Sequence, residues 1–443
     1  MSIRSHGAAF LAVAFLFTNT AIAQSSDIAL LREAIDELRA DYESRIAALE
    51  ERVAVAEQNA RPAQAVAAAS SSRGAGSDAV FNPAIGVIFQ GQAWNYKNSR
   101  DDYSVQGFPF GGEAGPFEEG FAIGEAELNI SANVDDKFTA WLTAPLVVED
   151  GEATIEIEEA WLETTALSAG FSVRFGRFFS GIGYLNNKHA HSWDFADQPL
   201  PYQAFLGDQY LDDGVQVRWI APTDLYVEAG AEVLRGSRYP AAGSAHSGYG
   251  ANSVFVNVGG DVGSDHSWLA GISHLSATSI DRESGGEDDP LLFNGDSDTT
   301  IAQFVWKWAP NGNWRQRNLV VQSEVFWRSE VGDYTLPGGV PLAYDNDQRG
   351  WYLQAVYQPF PRWRFGTRID TLSTDDIESA FSGSALATPV DDPMRYSLMT
   401  DWSNSEFSRL RLQFTRDEAG PRDENQWGLQ YILSIGAHGG HSF

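Results

Sequence analysis

The chain of 443 residues has no cysteine and only 3 methionines. Without thiols there is no disulfide framework, no cysteine zinc site and no thiol chemistry. Positive charge is scarce: 30 Lys and Arg stand against 60 Asp and Glu, a formal net charge of −30. A chain this acidic repels phosphate backbones, so no nucleic acid partner is expected. Beyond residue 23 no run reaches the roughly 20 apolar residues of a helical span. If the chain crosses a membrane, it crosses as a barrel. What it has in quantity is glycine (42) and aromatics (26 Phe, 15 Tyr, 14 Trp).

Residues 1–23 read as a secretory signal peptide. Arg4 gives the positive start, Ala8–Phe17 is an apolar run too short to span, and Ala21-Ile22-Ala23 is a small-x-small cleavage site. Residues 24–61 carry helical periodicity. Ile28, Leu31, Ile35, Leu38 and Tyr42 form the seam of an α-helical coiled coil, and Ile46, Leu49, Val53 and Ala56 continue it after a stutter. The segment would reach roughly 55 Å as a helix. Residues 62–80, rich in Ala, Ser and Gly, are a flexible linker.

From residue 81 to 443, segments of about ten residues alternate apolar and polar. Trp427, Leu429, Tyr431, Leu433 and Ile435 interleave with Gln426, Gln430 and Ser434; Trp363, Phe365 and Ile369 interleave with Arg364, Arg368 and Asp370. Strands are predicted to start near residues 83, 121, 137, 152, 170, 212, 224, 252, 266, 299, 317, 349, 362, 394, 407 and 425. Every second connection is short, as at Asp135-Asp136, Leu167–Ala169 and Gly263–Asp265. Most others are long: Lys97–Gly120, Ser180–Leu211, Gly236–Ala251, Thr278–Ser297, Gly332–Gln348 and Ser373–Asp392. The fold class is therefore all-β, a transmembrane antiparallel β-barrel of about 16 strands in outer-membrane lipid. Trp306, Trp308, Trp327, Trp351, Trp363, Trp402 and Trp427 fall near strand ends, where indoles meet headgroups. Phe443 supplies the terminal aromatic of an assembly signal. Glu158-Glu159 breaks the alternation. A bulge or a face covered by a neighbouring subunit would account for it, and the second is preferred.

With its signal, stalk, linker, sixteen strands and the segment GRFFSGIGYLN (Gly176–Asn186), the sequence resembles the outer-membrane porins that carry an N-terminal periplasmic coiled coil, the DcaP-like group related to the phosphate-selective porins O and P. The resemblance implies a homotrimer, passive diffusion of small hydrophilic solutes, a Gram-negative outer membrane and a coiled coil in the periplasm. The lumen lacks the lysines of the phosphate-selective pattern. The resemblance also implies that the third outer loop, residues 180–211, folds inward as a constriction. Its polar equipment is Lys188, His189, His191, Asp194, Asp197 and Asp208.

Strand parity assigns the pore lining. Basic residues are Arg174, Arg218, Arg364, Arg368, Arg395, Arg409 and Arg411; acidic ones are Glu125, Glu127, Glu156, Glu228 and Glu232. An arginine in hydrocarbon costs ~2–4 kcal/mol near the midplane, which favours the lumen. Basic and acidic walls set up a transverse field, or else a salt-bridge network that stiffens the barrel. Acidic loops favour cations at the mouth, while the arginine wall would hold small carboxylates. His189 and His191 point the same way in an extended chain, so both could reach one zinc ion, with Asp194 or Asp197 completing the site. Hydrogen-bonded loop histidines are the competing reading. A second histidine pair, His438 and His441, ends the chain. Ser180, His189 and Asp194 have the composition of a catalytic triad, but no nucleophile elbow or oxyanion hole accompanies them, so no enzyme is expected. The leading reading is a porin needing no cofactor. The alternatives are a zinc-uptake channel and a structural envelope anchor.

Overall fold

The computed structural model describes residues 83–98, 103–112, 114–124, 126–149, 152–241, 248–286, 290–377 and 379–436. All belong to the compact unit Phe81–Phe443. The signal, stalk and linker segments, Glu125 and the His438/His441 pair lie outside the described residues.

Eighteen strand segments form one antiparallel sheet. In chain order they are β1 (Ala84–Asn95), β2 (Gly120–Ile123), β3 (Ala126–Asn133), β4 (Phe138–Glu149), β5 (Glu152–Ile155), β6 (Glu159–Thr164), β7 (Phe171–Phe179), β8 (Leu211–Ile220) and β9 (Tyr226–Leu234). They continue as β10 (Ala251–Val262), β11 (His266–Ser284), β12 (Leu291–Trp308), β13 (Asn318–Thr335), β14 (Pro341–Phe360), β15 (Trp363–Thr374), β16 (Met394–Ser405), β17 (Ser408–Asp417) and β18 (Glu424–Gly436). β2 and β3 both pair with β1, and β5 and β6 both pair with β4, so each couple is one interrupted stave. Sixteen staves result, and β1 closes the ring on β18 from Gly86↔Gly436 to Asn95↔Trp427.

The ring is polar inside and apolar outside. Along β18, Glu424, Gln426, Gly428 and Gln430 are buried while Trp427, Leu429 and Tyr431 are exposed. A protein folded in water buries the opposite set; this arrangement needs lipid around it and polar contents within. On β13, Leu319 pairs with Trp308 and Trp327 lies near Trp351 of β14. Leu319 to Trp327 covers about 26 Å of strand, which once tilted fits an outer-membrane apolar band.

Two expected loops are corrected. Thr278–Ser297 and Gly332–Gln348 are largely strand: β11 runs on to Ser284, β12 begins at Leu291, β13 ends at Thr335 and β14 begins at Pro341. Beyond Trp327 the outward face turns polar, while Arg328 and Glu330 keep β13 polar within as far as Gly332. Phe293, Tyr334 and Tyr344 pack inward with Phe381 and Leu386, while Asp296 and Asp333 point outward. The outer medium there is no longer lipid, so the alternation that marks the lower strands is lost from the sequence.

The Glu158-Glu159 anomaly is a bulge. Leu146 of β4 pairs with Ile155 and Thr143 with Glu159, so three steps on one stave meet four on the other. Pro145 sits in that gap on β4; it has no N–H, though its carbonyl accepts from Glu156 N at 3.1 Å. The extra residue shifts the parity. The preferred subunit-face explanation is therefore not needed: both carboxylates reach inward-facing partners, as described below. The β2–β3 break has the same count, Gly91↔Ile123 against Ile88↔Glu127.

Candidate functional site

The segment between β7 and β8 runs inside the ring. Its base is closed by Asn186, which is fully buried. Asn186 Nδ2 donates to Ser180 O at 2.9 Å and to Tyr210 O at 2.8 Å, and its Oδ1 accepts from Tyr210 N at 2.7 Å. The middle of the segment forms one short helix, α1 (Leu200–Leu206), which starts after Pro199 and ends at Gly207 with φ 64°. Every residue of α1 is buried. Leu200, Tyr202, Phe205 and Leu206 join Phe178, Phe326, Tyr352 and Leu372 in an apolar core that fills part of the lumen.

The arginine staves hold this segment from one side. Arg364 Nη1 donates to Asp194 Oδ1 at 2.7 Å and also binds Asp401. Arg368 donates to Asp197 O at 2.7 Å and Asp197 Oδ2 at 2.9 Å. Arg395 reaches Asp417 at 3.1 Å and Gln203 Oε1 at 3.2 Å. Arg409 and Arg411 donate to the carbonyls of His191 and Trp193. Arg368, Arg395 and Arg411 are buried beneath the segment, whereas Arg364 and Arg409 keep part of their surface. Asp370, Asp401 and Asp417, on the same staves, are buried among them. The wall is thus a mixed lattice of five arginines and, with Asp194 and Asp197, five aspartates.

The carboxylate side is arranged around the histidines. His191 Nδ1 lies 2.7 Å from Glu127 Oε1 of β3, and His189 Nε2 lies 3.1 Å from Glu159 Oε2. The two imidazoles stack at 5.6 Å. Glu156 lies in the bulge and is exposed, so the inner places go to Glu158 and Glu159 instead. Lys188 Nζ sits 5.0 Å over the Tyr184 ring. Asp208 follows α1 at φ 86°, its N–H on Tyr202 O.

Glu232 of β9 accepts from Ser180 Oγ, Gly181 N and Gln216 Nε2, fixing the start of the segment. Nearer the short turns, Arg174 Nε donates to Glu163 Oε2 at 2.8 Å and lies 4.1 Å over Trp161. Arg218 reaches Glu163 at 3.1 Å and Glu228 at 3.6 Å. Ser180, His189 and Asp194 have separate partners in Glu232, Glu159 and Arg364 and do not meet as a triad.

Sequence reasoning missed Glu324 of β13, which is fully buried and holds α1 through Tyr202. It accepts from Tyr184 N at 2.6 Å, Tyr202 OH at 3.0 Å and Tyr352 OH. Parity with Gln322 and Arg328 would have placed it inside. The first outer loop, Lys97–Gly120, was expected as a long connection, but its inward packing was not: Val105 and Phe108 are buried in the same core, and Gly107 O accepts from Gln348 at 2.9 Å.

No family model matches the chain. An uncharacterized protein of Aquifex aeolicus (strain VF5) is 32% identical over 360 residues, covering 75% of this chain and 72% of that one. Among solved structures, the outer membrane channel DcaP of Acinetobacter baumannii superposes with a TM-score of 0.51 at 12% identity, over 81% of this chain and 99% of that chain. A loop-deletion mutant of OmpT, an outer membrane protein of Vibrio cholerae, gives 0.50 at 12% identity, over 81% and 100%. The chain therefore belongs to one family with the Aquifex aeolicus protein, and its sixteen-stave barrel has the fold of the outer-membrane porins and channels.

Proposed function

We propose that the chain is a passive porin of a Gram-negative outer membrane, through which small hydrophilic solutes diffuse past a constriction made by residues 180–211. The observation that carries this reading is the course of that segment: it is bonded to inward-facing groups of β3, β6, β9, β13, β15 and β17. A loop so placed leaves less lumen and lines what remains with Arg364, Asp194, Lys188 and His189. Charge of both signs around a narrow aqueous path, inside low-dielectric walls, favours polar over apolar solutes. Purified protein in planar bilayers should give stepwise conductance, and reversal potentials in a salt gradient should read its ion preference. Absence of conductance would end the reading.

We assign the contact between copies in a homotrimer to the low wall. The segments β2–β9 have 4 to 12 residues, against 18 to 20 for β11–β14. Next to the two bulges, Phe121, Ile123 and Ile155 are exposed at 94%, 59% and 75%. Cross-linking in detergent should give a three-chain species. The stalk, residues 24–61, would then lie in the periplasm.

A further inference from the structure

The carboxylate side of the inward segment has a feature that solute diffusion does not require. Glu127 of β3, Glu158 of the bulge and His189 present ligand atoms that all lie within 4.8 Å of one another. His189 Nδ1 is 3.1 Å from Glu158 Oε2 and 3.6 Å from Glu127 Oε2. A tetrahedral zinc ion with bonds near 2.0–2.1 Å holds its ligand atoms about 3.3 Å apart. The spacing around His189 brackets that edge.

Hydrogen bonding singles out the same atoms. His189 Nε2 lies 3.1 Å from Glu159 Oε2, so a proton held there leaves Nδ1, which faces two carboxylate oxygens, to take either a second proton as an imidazolium or a metal ion. His189 Nδ1 and Glu158 Oε2 are both buried with no hydrogen-bond partner. A buried imidazole nitrogen and a carboxylate oxygen facing each other need a proton or a metal cation between them. Glu159 is then the outer carboxylate that orients a ligating imidazole. His191, bonded to the other oxygen of Glu127 at 2.7 Å, turns that carboxylate toward the same point. Phe179 closes one side edge-on to His189 at 5.5 Å.

We propose that Glu127, Glu158 and His189 form a binding site for a divalent transition cation of the zinc class, with Glu159 and His191 as positioning residues. This revises the ligand set expected from the sequence: His189 stays, His191 moves to a supporting place, and Asp194 and Asp197 are taken by arginines. An imidazole with two carboxylates selects borderline divalent ions over calcium or magnesium, which prefer all-oxygen cages. The bound ion would tie the inward segment to two separate staves. The site stands whether or not the barrel conducts.

The test uses the full chain, folded in detergent and freed of metal with chelator. Zinc is titrated against a chromophoric competitor, and cobalt is added separately to read the visible bands of a low-coordinate site. Wild type should take one equivalent of either ion. Glu158→Gln and His189→Gln should each weaken zinc binding by at least about tenfold and remove the cobalt bands. Glu159→Gln should weaken it by ~10–100-fold while keeping the bands. His274→Ala, which changes an exposed histidine 3.7 Å from Asp298, serves as control and should bind like wild type. Heat-modifiable gel mobility certifies that each variant is folded, and Glu158→Gln decides the matter if His189→Gln does not fold. No stoichiometric zinc in wild type, or unchanged affinity in Glu158→Gln, overturns the proposal. Conductance in the presence of chelator separately tests the pore.

Discussion

The Asn186 side chain and the Tyr210 backbone pair reciprocally: Tyr210 N donates to Asn186 Oδ1 at 2.7 Å, and Asn186 Nδ2 returns a bond to Tyr210 O at 2.8 Å. A third bond, to Ser180 O, joins both ends of the inward segment through one amide. The segment therefore leaves the wall and rejoins it at a single fixed neck.

Asn186→Ala should loosen this neck. It strands the Tyr210 N–H in a buried place, at about 1–3 kcal/mol for an unsatisfied group. Bilayer recordings should show larger, noisier open levels than wild type. The melting temperature should fall. A variant with unchanged conductance noise would mean that the neck does not hold the segment.

The acid dependence follows from Asp197. Burial alone would raise its pKa, but the charges of Arg368 and Arg395, with hydrogen bonds from Gln413 and Arg368, hold it below the usual 3.8. The folded chain thus binds fewer protons here than the unfolded chain. Its stabilising contribution is complete above about pH 5 and is lost as the pH falls through the depressed value. The inward segment should stay anchored at neutral pH and come loose in acid, seen as a conductance change below pH 4. Asp197→Asn should already show the acid behaviour at neutral pH and lack that transition.

The change of outer medium along β13 gives a test within one strand. Val325 faces outward below Trp327, and Val331 faces outward above it, 54% exposed. Val325→Arg, part-way between the midplane and the Trp327 girdle, should cost about 1–2 kcal/mol in folding from urea into lipid vesicles. Val331→Arg, in water, should stay within about 0.5 kcal/mol. Equal costs would move the membrane boundary.

How far the sequence could be read depends on which solvent each stretch meets. Where lipid lies outside, as on β15 to β18, strict alternation placed every start within two residues. At β12 and β14 the starts came eight residues late, because Leu291, Phe293 and Tyr344 face inward there. The stave count survived since the short turns, such as Gly263–Asp265, are local. The site was less legible. Parity assigned Arg364, Glu127, Glu232 and Glu156 to the pore lining; one inserted residue near Pro145 leaves Glu156 exposed and turns Glu158 and Glu159 toward His189 instead. Partners could not be found at all: which aspartate meets Arg368 depends on a loop that returns across more than 150 residues of sequence.

Two neighbouring arginines should separate pore electrostatics from packing. Arg409 donates to a backbone carbonyl, and no carboxylate lies within ion-pair distance of it among the described residues. It also keeps part of its surface, so Arg409→Ala removes one positive charge from the path while leaving a neutral carbonyl behind. Reversal potentials should shift toward cations, more at low salt than at high salt as screening grows. Stability should change little. Arg368 is buried between Asp197 and Asp370, at 2.9 and 3.4 Å. Arg368→Ala leaves two aspartates short of a partner in a buried place, at ~3–5 kcal/mol. Its signature should be a lowered melting temperature and an unstable conductance. If instead Arg409→Ala unfolds the barrel and Arg368→Ala only shifts selectivity, the division between path and packing drawn from their burial is inverted.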